Sequence, residues 1–87
     1  MGHGAGAVPR IPPGFVVGAK AVLRAAAEGP VRRIVVARDA PAAATEPVRR
    51  LAKERALALV EVASSAELGA RCGIGRPVAA VAELRTA

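Results

Sequence analysis

Ile34-Val35-Val36-Ala37 is a short, unbroken, mostly β-branched run set between two segments of a different kind. Upstream, Gly18-Ala19-Lys20-Ala21-Val22-Leu23-Arg24-Ala25-Ala26-Ala27-Glu28 is Ala-rich, which predicts a helix that Gly29 and then Pro30 bring to a stop. Downstream, Arg38-Asp39-Ala40-Pro41 turns the chain, and a second helix is expected from near Thr45 or a few residues earlier, with Pro47 tolerated in its first turn. Val48, Leu51 and Ala52 supply the i, i+3, i+4 apolar stripe of that helix, with Arg49, Arg50 and Lys53 facing away. A continuous apolar run of this length between two helices reads as a buried parallel strand.

Working outward, Phe15-Val16-Val17 is a short apolar run before the first helix, and Ala58-Leu59-Val60-Glu61-Val62 is the next strand. Ser64-Ser65-Ala66-Glu67 has the S-x-x-E spacing of a capping box and opens a short helix through Arg71. Gly73-Ile74-Gly75-Arg76 is a loop, and Pro77-Val78-Ala79-Ala80-Val81-Ala82 is the last predicted strand. Alternating strands and helices predict an α/β sandwich with helices on both faces of a mixed or mostly parallel sheet, and the expected fold class is a small three-layer α-β-α sandwich with a mixed four-stranded sheet. Residues 1–14, rich in Gly and Pro, are expected to be a flexible N-terminal arm, and 15–87 the domain.

The composition narrows what such a domain does. Its 87 residues hold one small domain, and 53% hydrophobic content is enough to give it a core. Thirteen Lys and Arg against seven Asp and Glu leave +6, a balance that suits a polyanionic partner. Phe15 is the one aromatic, which excludes modules that stack bases on exposed rings. A single cysteine, Cys72, and a single histidine, His3, leave no parts for a disulfide, a structural zinc site or a His-based triad. With no apolar run of about 18 residues and no secretory pattern at the start, a cytoplasmic location without a membrane partner is expected.

Two helix starts differ in a way that points to chemistry. The Ser64 helix has a side-chain cap and an acid at its third position. The Gly18 helix has neither, and carries Lys20 and Arg24 instead. Cations beside the positive end of a helix dipole are unfavourable by a few tenths to about 1 kcal/mol each. Bare amides, a glycine that admits close approach and two cations one turn apart make an anion site. The plain alternative is that Lys20 and Arg24 are solvated and that Glu28 pairs with Arg24.

The second candidate is the loop after the third helix, where Arg71 and Arg76 flank Gly73, Ile74 and Gly75; alternatively Gly73 is a helix C-cap and Ile74 packs into the core. The G-x-G at Gly73 and Gly75 leads into a strand rather than a helix, so it is not a dinucleotide fingerprint. Cys72 reads as a buried small hydrophobe, Ser64 as a cap, Asp39 as a turn residue, and most of Arg32, Arg33, Arg38, Arg49, Arg50 and Lys53 as solvated surface.

Three stretches taken together carry a resemblance: Val17-Gly18-Ala19-Lys20 through Arg24, Ile34 through Ala40, and Leu68-Gly69-Ala70-Arg71-Cys72-Gly73-Ile74-Gly75-Arg76-Pro77-Val78. In order and spacing they resemble the L7Ae family of kink-turn-binding ribosomal proteins, especially its small bacterial YbxF-like members, over roughly Phe15 to Leu84. The resemblance implies an α-β-α sandwich that binds kinked RNA, where a bulge sits beside tandem sheared G·A pairs. It implies that Gly18 allows close approach, with Ala19 next to it among the RNA-binding residues, that Lys20 reads guanine, and that Arg24 holds phosphate or a guanine edge. It further implies that Gly73, Ile74, Gly75 and Arg76 close over the bulged nucleotides, Ile74 by apolar contact. Two positions depart from the family pattern: Ala21 where relatives usually carry Glu or Gln, and Ser65 where many carry Lys.

The leading expectation is therefore a non-enzymatic, monomeric RNA-binding protein, with structured RNA as its partner and the ribosome as a setting. The alternative is a protein-interaction module that offers its basic faces to an acidic protein. Paired catalytic groups, a metal cluster and a cofactor loop are all missing from the sequence, so no catalytic residue, metal or cofactor is expected.

Overall fold

The computed structural model describes residues 14–29 and 31–85. Among them the order is β1 (Phe15–Val17), α1 (Ala19–Glu28), β2 (Val31–Ala37), α2 (Ala42–Glu54), β3 (Ala58–Val62), α3 (Ser65–Arg71) and β4 (Ala80–Leu84). The sheet runs β1-β4-β2-β3. Strand β4 is antiparallel to both β1 and β2, while β2 and β3 are parallel, so the sheet is mixed. Apart from Gly14, the N-terminal arm lies outside the described residues.

The Ile34–Ala37 run is central and covered on both faces, which is why it reads as continuously apolar. Ile34 and Val36 point to one side, where they meet Val22 and Ala26 of α1, Val48 and Ala52 of α2, and Ala80 and Ala82 of β4. Ala37 and Val35 point to the other, against Leu68 and Cys72 of α3, Val62, Val78 and Val81. Helices α1 and α2 thus form one layer, the sheet the second and α3 the third.

Several boundaries differ from the sequence reading. Strand β2 begins at Val31, ahead of the apolar run, because Val31 pairs with Leu84 and Arg33 with Glu83, with a bulge between them. Helix α2 begins at Ala42, within the expected range, but Pro47 then lies in its second turn rather than its first. That proline forgoes the bond to the Ala43 carbonyl, and Ala43 is exposed, where water can satisfy it. Arg49 does not face away: it is half-buried and donates to Glu61 of β3.

The last strand starts at Ala80 rather than Pro77. Pro77 has no amide to give, and the Val78 amide is taken by the Ser65 carbonyl at 3.0 Å. Asp39 does more than shape its own turn: its Oδ1 accepts from the Ser65 amide at 2.8 Å and so ties the β2–α2 turn to the start of α3.

Candidate nucleic-acid interface

Helix α1 starts at Gly18, whose φ of 102° and ψ of 141° lie outside the wells open to L-residues. A Cβ placed there would meet nothing within 4 Å among the described residues, so the demand for glycine is torsional rather than steric. The Gly18 amide donates to the Ala80 carbonyl at 2.8 Å and its carbonyl accepts from Val22 at 2.9 Å. No side chain caps the helix and its first turn carries no acid. The amides of Ala19, Lys20 and Ala21 therefore have no partner among the described residues, as expected of an uncapped first turn.

Lys20 and Arg24 are both exposed, and among the described residues neither pairs with a carboxylate. The Arg24–Glu28 pair that would have made them ordinary surface does not form. Helix α2 begins alongside, also with no side-chain cap and no acid in its first turn. Ala43, Ala44 and Pro47 of α2 face Val17, Lys20, Ala21 and Leu23 across an open, largely apolar groove. These α2 residues escaped the sequence reading because small apolar residues at a helix start look like helix formers; only the α1–α2 contact makes them a wall beside Lys20.

Helix α3 has the opposite kind of start. Ser64 Oγ accepts from the Glu67 amide at 3.0 Å, and the Glu67 carboxylate turns to Arg71 at 2.9 Å instead of closing the capping box. At its other end, Gly73 takes φ +73°. The Gly73 amide donates to Ala70 at 3.0 Å and the Ile74 amide to Gly69 at 2.9 Å. Those two bonds are a Schellman ending, in which an apolar residue follows the left-handed glycine and packs back. Ile74 fills that place: it is half-buried against the α3-side core, so only part of it remains for a ligand.

Gly73, Gly75 and Arg76 are exposed, and Gly75 also has a positive φ of +80°. Arg76 has no carboxylate partner among the described residues, whereas Arg71 is engaged by Glu67. The loop and the α1 start lie at the same end of the sheet: after Arg76 the chain reaches Ala79, which accepts from Ala37, and Ala80, which accepts from Gly18. Gly18, Ala19, Lys20, Gly73, Gly75 and Arg76 are thus brought toward one end, with Arg24 one turn further along α1 and Ile74 partly withdrawn. Bare amides and cations at that end suit an anionic polymer, and the groove beside them suits its apolar portions.

Neighbouring groups set the electrostatics. Glu61 accepts from Arg49 and faces Arg38 at 3.4 Å, and the hydrogen bond and charge of Arg49 hold its carboxyl below the usual carboxylate range, with Arg38 adding to the effect. Cys72 is buried, and that burial raises its thiol above the ordinary value. It is a core residue, and among the described residues no cluster of His, Cys, Asp and Glu could hold a metal ion.

Residues 8–86 match the family described as Ribosomal protein L7Ae/L30e/S12e/Gadd45. The chain is similar to an RNA-binding protein of Bacillus pumilus (strain SAFR-032), with 40% identity over 68 residues, covering 78% of this chain and 83% of that one. It is also similar to the RNA-binding protein YbxF of Geobacillus stearothermophilus, at 39% identity over 71 residues, covering 82% and 87%. Among solved structures, the Giardia lamblia 15.5kD RNA binding protein superimposes with a TM-score of 0.79 at 19% identity. That alignment covers 84% of this chain and 62% of the Giardia protein, and it bears on the fold.

Proposed function

Because the chain belongs to the Ribosomal protein L7Ae/L30e/S12e/Gadd45 family, we propose that it binds RNA at the sheet end shared by the α1 start and the Gly73–Arg76 loop, and that it prefers kink-turns. The observation that carries this reading is the uncapped first turn of α1, where three amides lack a partner and two cations lack a carboxylate among the described residues. A bent RNA presents phosphates and guanine O6 and N7 acceptors at such a place. Lys20 donates to the guanine edge, Arg24 holds phosphate, and the space over Gly18, open among the described residues, lets the backbone come close.

Ala21 offers only a methyl group where a Glu or Gln would accept from a base. A missing base contact of this kind is worth ~1–3 kcal/mol of discrimination, so selectivity is lower than in relatives that carry the polar residue. The family's ribosomal name supports a ribonucleoprotein setting, which sequencing of the RNA crosslinked to the chain in cells would identify.

Gel-shift titration against a kink-turn RNA and a duplex lacking the G·A pairs tests the reading. The kink-turn binds more tightly, and Lys20→Ala with Arg24→Ala removes the difference. With about five phosphates neutralised, log K falls against log salt with a slope of roughly 3.5–4.5. Equal affinity for both RNAs would leave only non-specific binding, and an unchanged double variant would remove the site.

A further inference from the structure

Gly69 sits inside α3, two residues before its last, and its backbone is ordinary helix. Glycine costs about 1 kcal/mol against alanine in a helix interior, so its presence there calls for a reason. The reason is visible across the loop. A Cβ on Gly69 would stand 1.7 Å from the Arg76 carbonyl oxygen and 2.8 Å from its carbon. Those are backbone atoms and cannot swing aside as a side-chain tip would.

The same short helix holds the loop at three further points. The Gly69 carbonyl accepts from Ile74, the Ala70 carbonyl from Gly73, and the Ser65 carbonyl from Val78. Helix α3 is in turn anchored at its start by Asp39, from the turn that follows β2. A continuous set of contacts therefore runs from the central strand through Asp39 to α3, and from α3 to the loop.

We infer that Gly69, backed by Asp39, is the positioning residue that sets the Gly73–Arg76 loop for RNA, so that the loop is formed before its ligand arrives. This rests on the RNA reading above and adds to it a residue that need not touch RNA. A methyl at Gly69 has to displace the Arg76 carbonyl by more than about 1 Å to reach an ordinary C···O separation of about 3.3 Å. Binding sites need their groups held to within about 0.5 Å, so the shift costs selectivity and leaves simple charge attraction in place.

The test compares the full chain with its Gly69→Ala, Asp39→Ala and Asp39→Asn variants. Each is titrated with kink-turn RNA and with the duplex lacking G·A pairs, and amide exchange is followed at Ile74, Val78 and the β2 amides. Gly69→Ala is expected to weaken kink-turn binding roughly tenfold or more while duplex binding stays within about twofold. Ile74 and Val78 lose protection and the β2 amides keep theirs. Asp39→Ala moves the same way, and Asp39→Asn restores binding because its amide oxygen still accepts from Ser65.

Affinities for both RNAs that fall together, in step with β2 protection, would reduce Gly69 to a stability residue and overturn the inference. So would unchanged exchange at Ile74 and Val78 in the alanine variant. If Gly69→Ala does not fold, the Asp39 pair decides by the same readouts. Equal binding of both RNAs by the unmodified chain would instead sink the kink-turn reading, with loop-holding still decided by the exchange at Ile74 and Val78.

Discussion

Arg33 and Glu83 are register partners across β2 and β4, and the Arg33 guanidinium donates from both Nε and Nη2 to a single carboxylate oxygen, Glu83 Oε2. The pair stands next to the bulge between Val31 and Arg33, so a side-chain bridge sits where the ladder is irregular. The Glu83 side chain is 14% exposed and that of Arg33 is 47% exposed, so water screens one partner well and the other poorly. A double-mutant cycle of Arg33→Ala and Glu83→Ala in urea is expected to return a coupling of ~0.5–1 kcal/mol. A coupling of zero would mean the contact contributes nothing to stability.

Glu61 gives a pH prediction. Arg49, by hydrogen bond and charge, lowers its folded carboxyl below the unfolded range, so its contribution is complete above the unfolded value. It is lost as the pH falls from the ordinary carboxylate range through the lower folded value. Acid titration of the unfolding midpoint is expected to show this loss, and Glu61→Gln to flatten the curve in that window. A Gln variant with an unchanged acid limb would place the linkage elsewhere.

Gly18→Ala separates torsion from space. The added methyl meets no atom within 4 Å among the described residues, so the destabilisation expected from them comes from the positive φ. A loss of about 1–3 kcal/mol is expected in chemical denaturation. If the midpoint does not move, the α1 start relaxes without penalty.

Cys72 is expected to react slowly with thiol reagents under native conditions. Its side chain is buried beside Leu68 and Val81, and desolvation raises its thiol above the ordinary value, so little thiolate is present near neutrality. Labelling should accelerate sharply in denaturant. Fast labelling of the folded chain would show that α3 opens readily from the sheet.

Ser64→Ala probes the start of α3. Losing the bond to the Glu67 amide is expected to cost ~1 kcal/mol. Thermal unfolding measures it, and an unchanged midpoint would mean that Asp39, on the neighbouring Ser65 amide, holds the helix start by itself.

The helices and the central strand were legible because their signals are local: alanine content, the Val48–Leu51–Ala52 stripe, the β-branched run at Ile34, and the Ser64 cap. Strand ends were not, since they depend on partners distant in sequence. Val31 joins β2 because Leu84 is there to pair with it, and Val78 stays out of β4 because Ser65 takes its amide. Arg49 reads as solvent-facing from helix periodicity alone, and it is Glu61 of β3, distant from the stripe in sequence, that engages it.

From the chain alone came an α/β order, a basic surface without stacking aromatics, and an uncapped, glycine-led helix carrying Lys20 and Arg24, all of which follow from residue chemistry over a few neighbouring positions. Folding decided which of these features share one end of the sheet, that Ile74 turns partly inward, and that Gly69 is occupied by glycine because Arg76 lies against it. Those outcomes depend on backbone atoms from distant segments competing for the same space and the same hydrogen bonds, and the spacing of residues along a chain does not encode that competition locally.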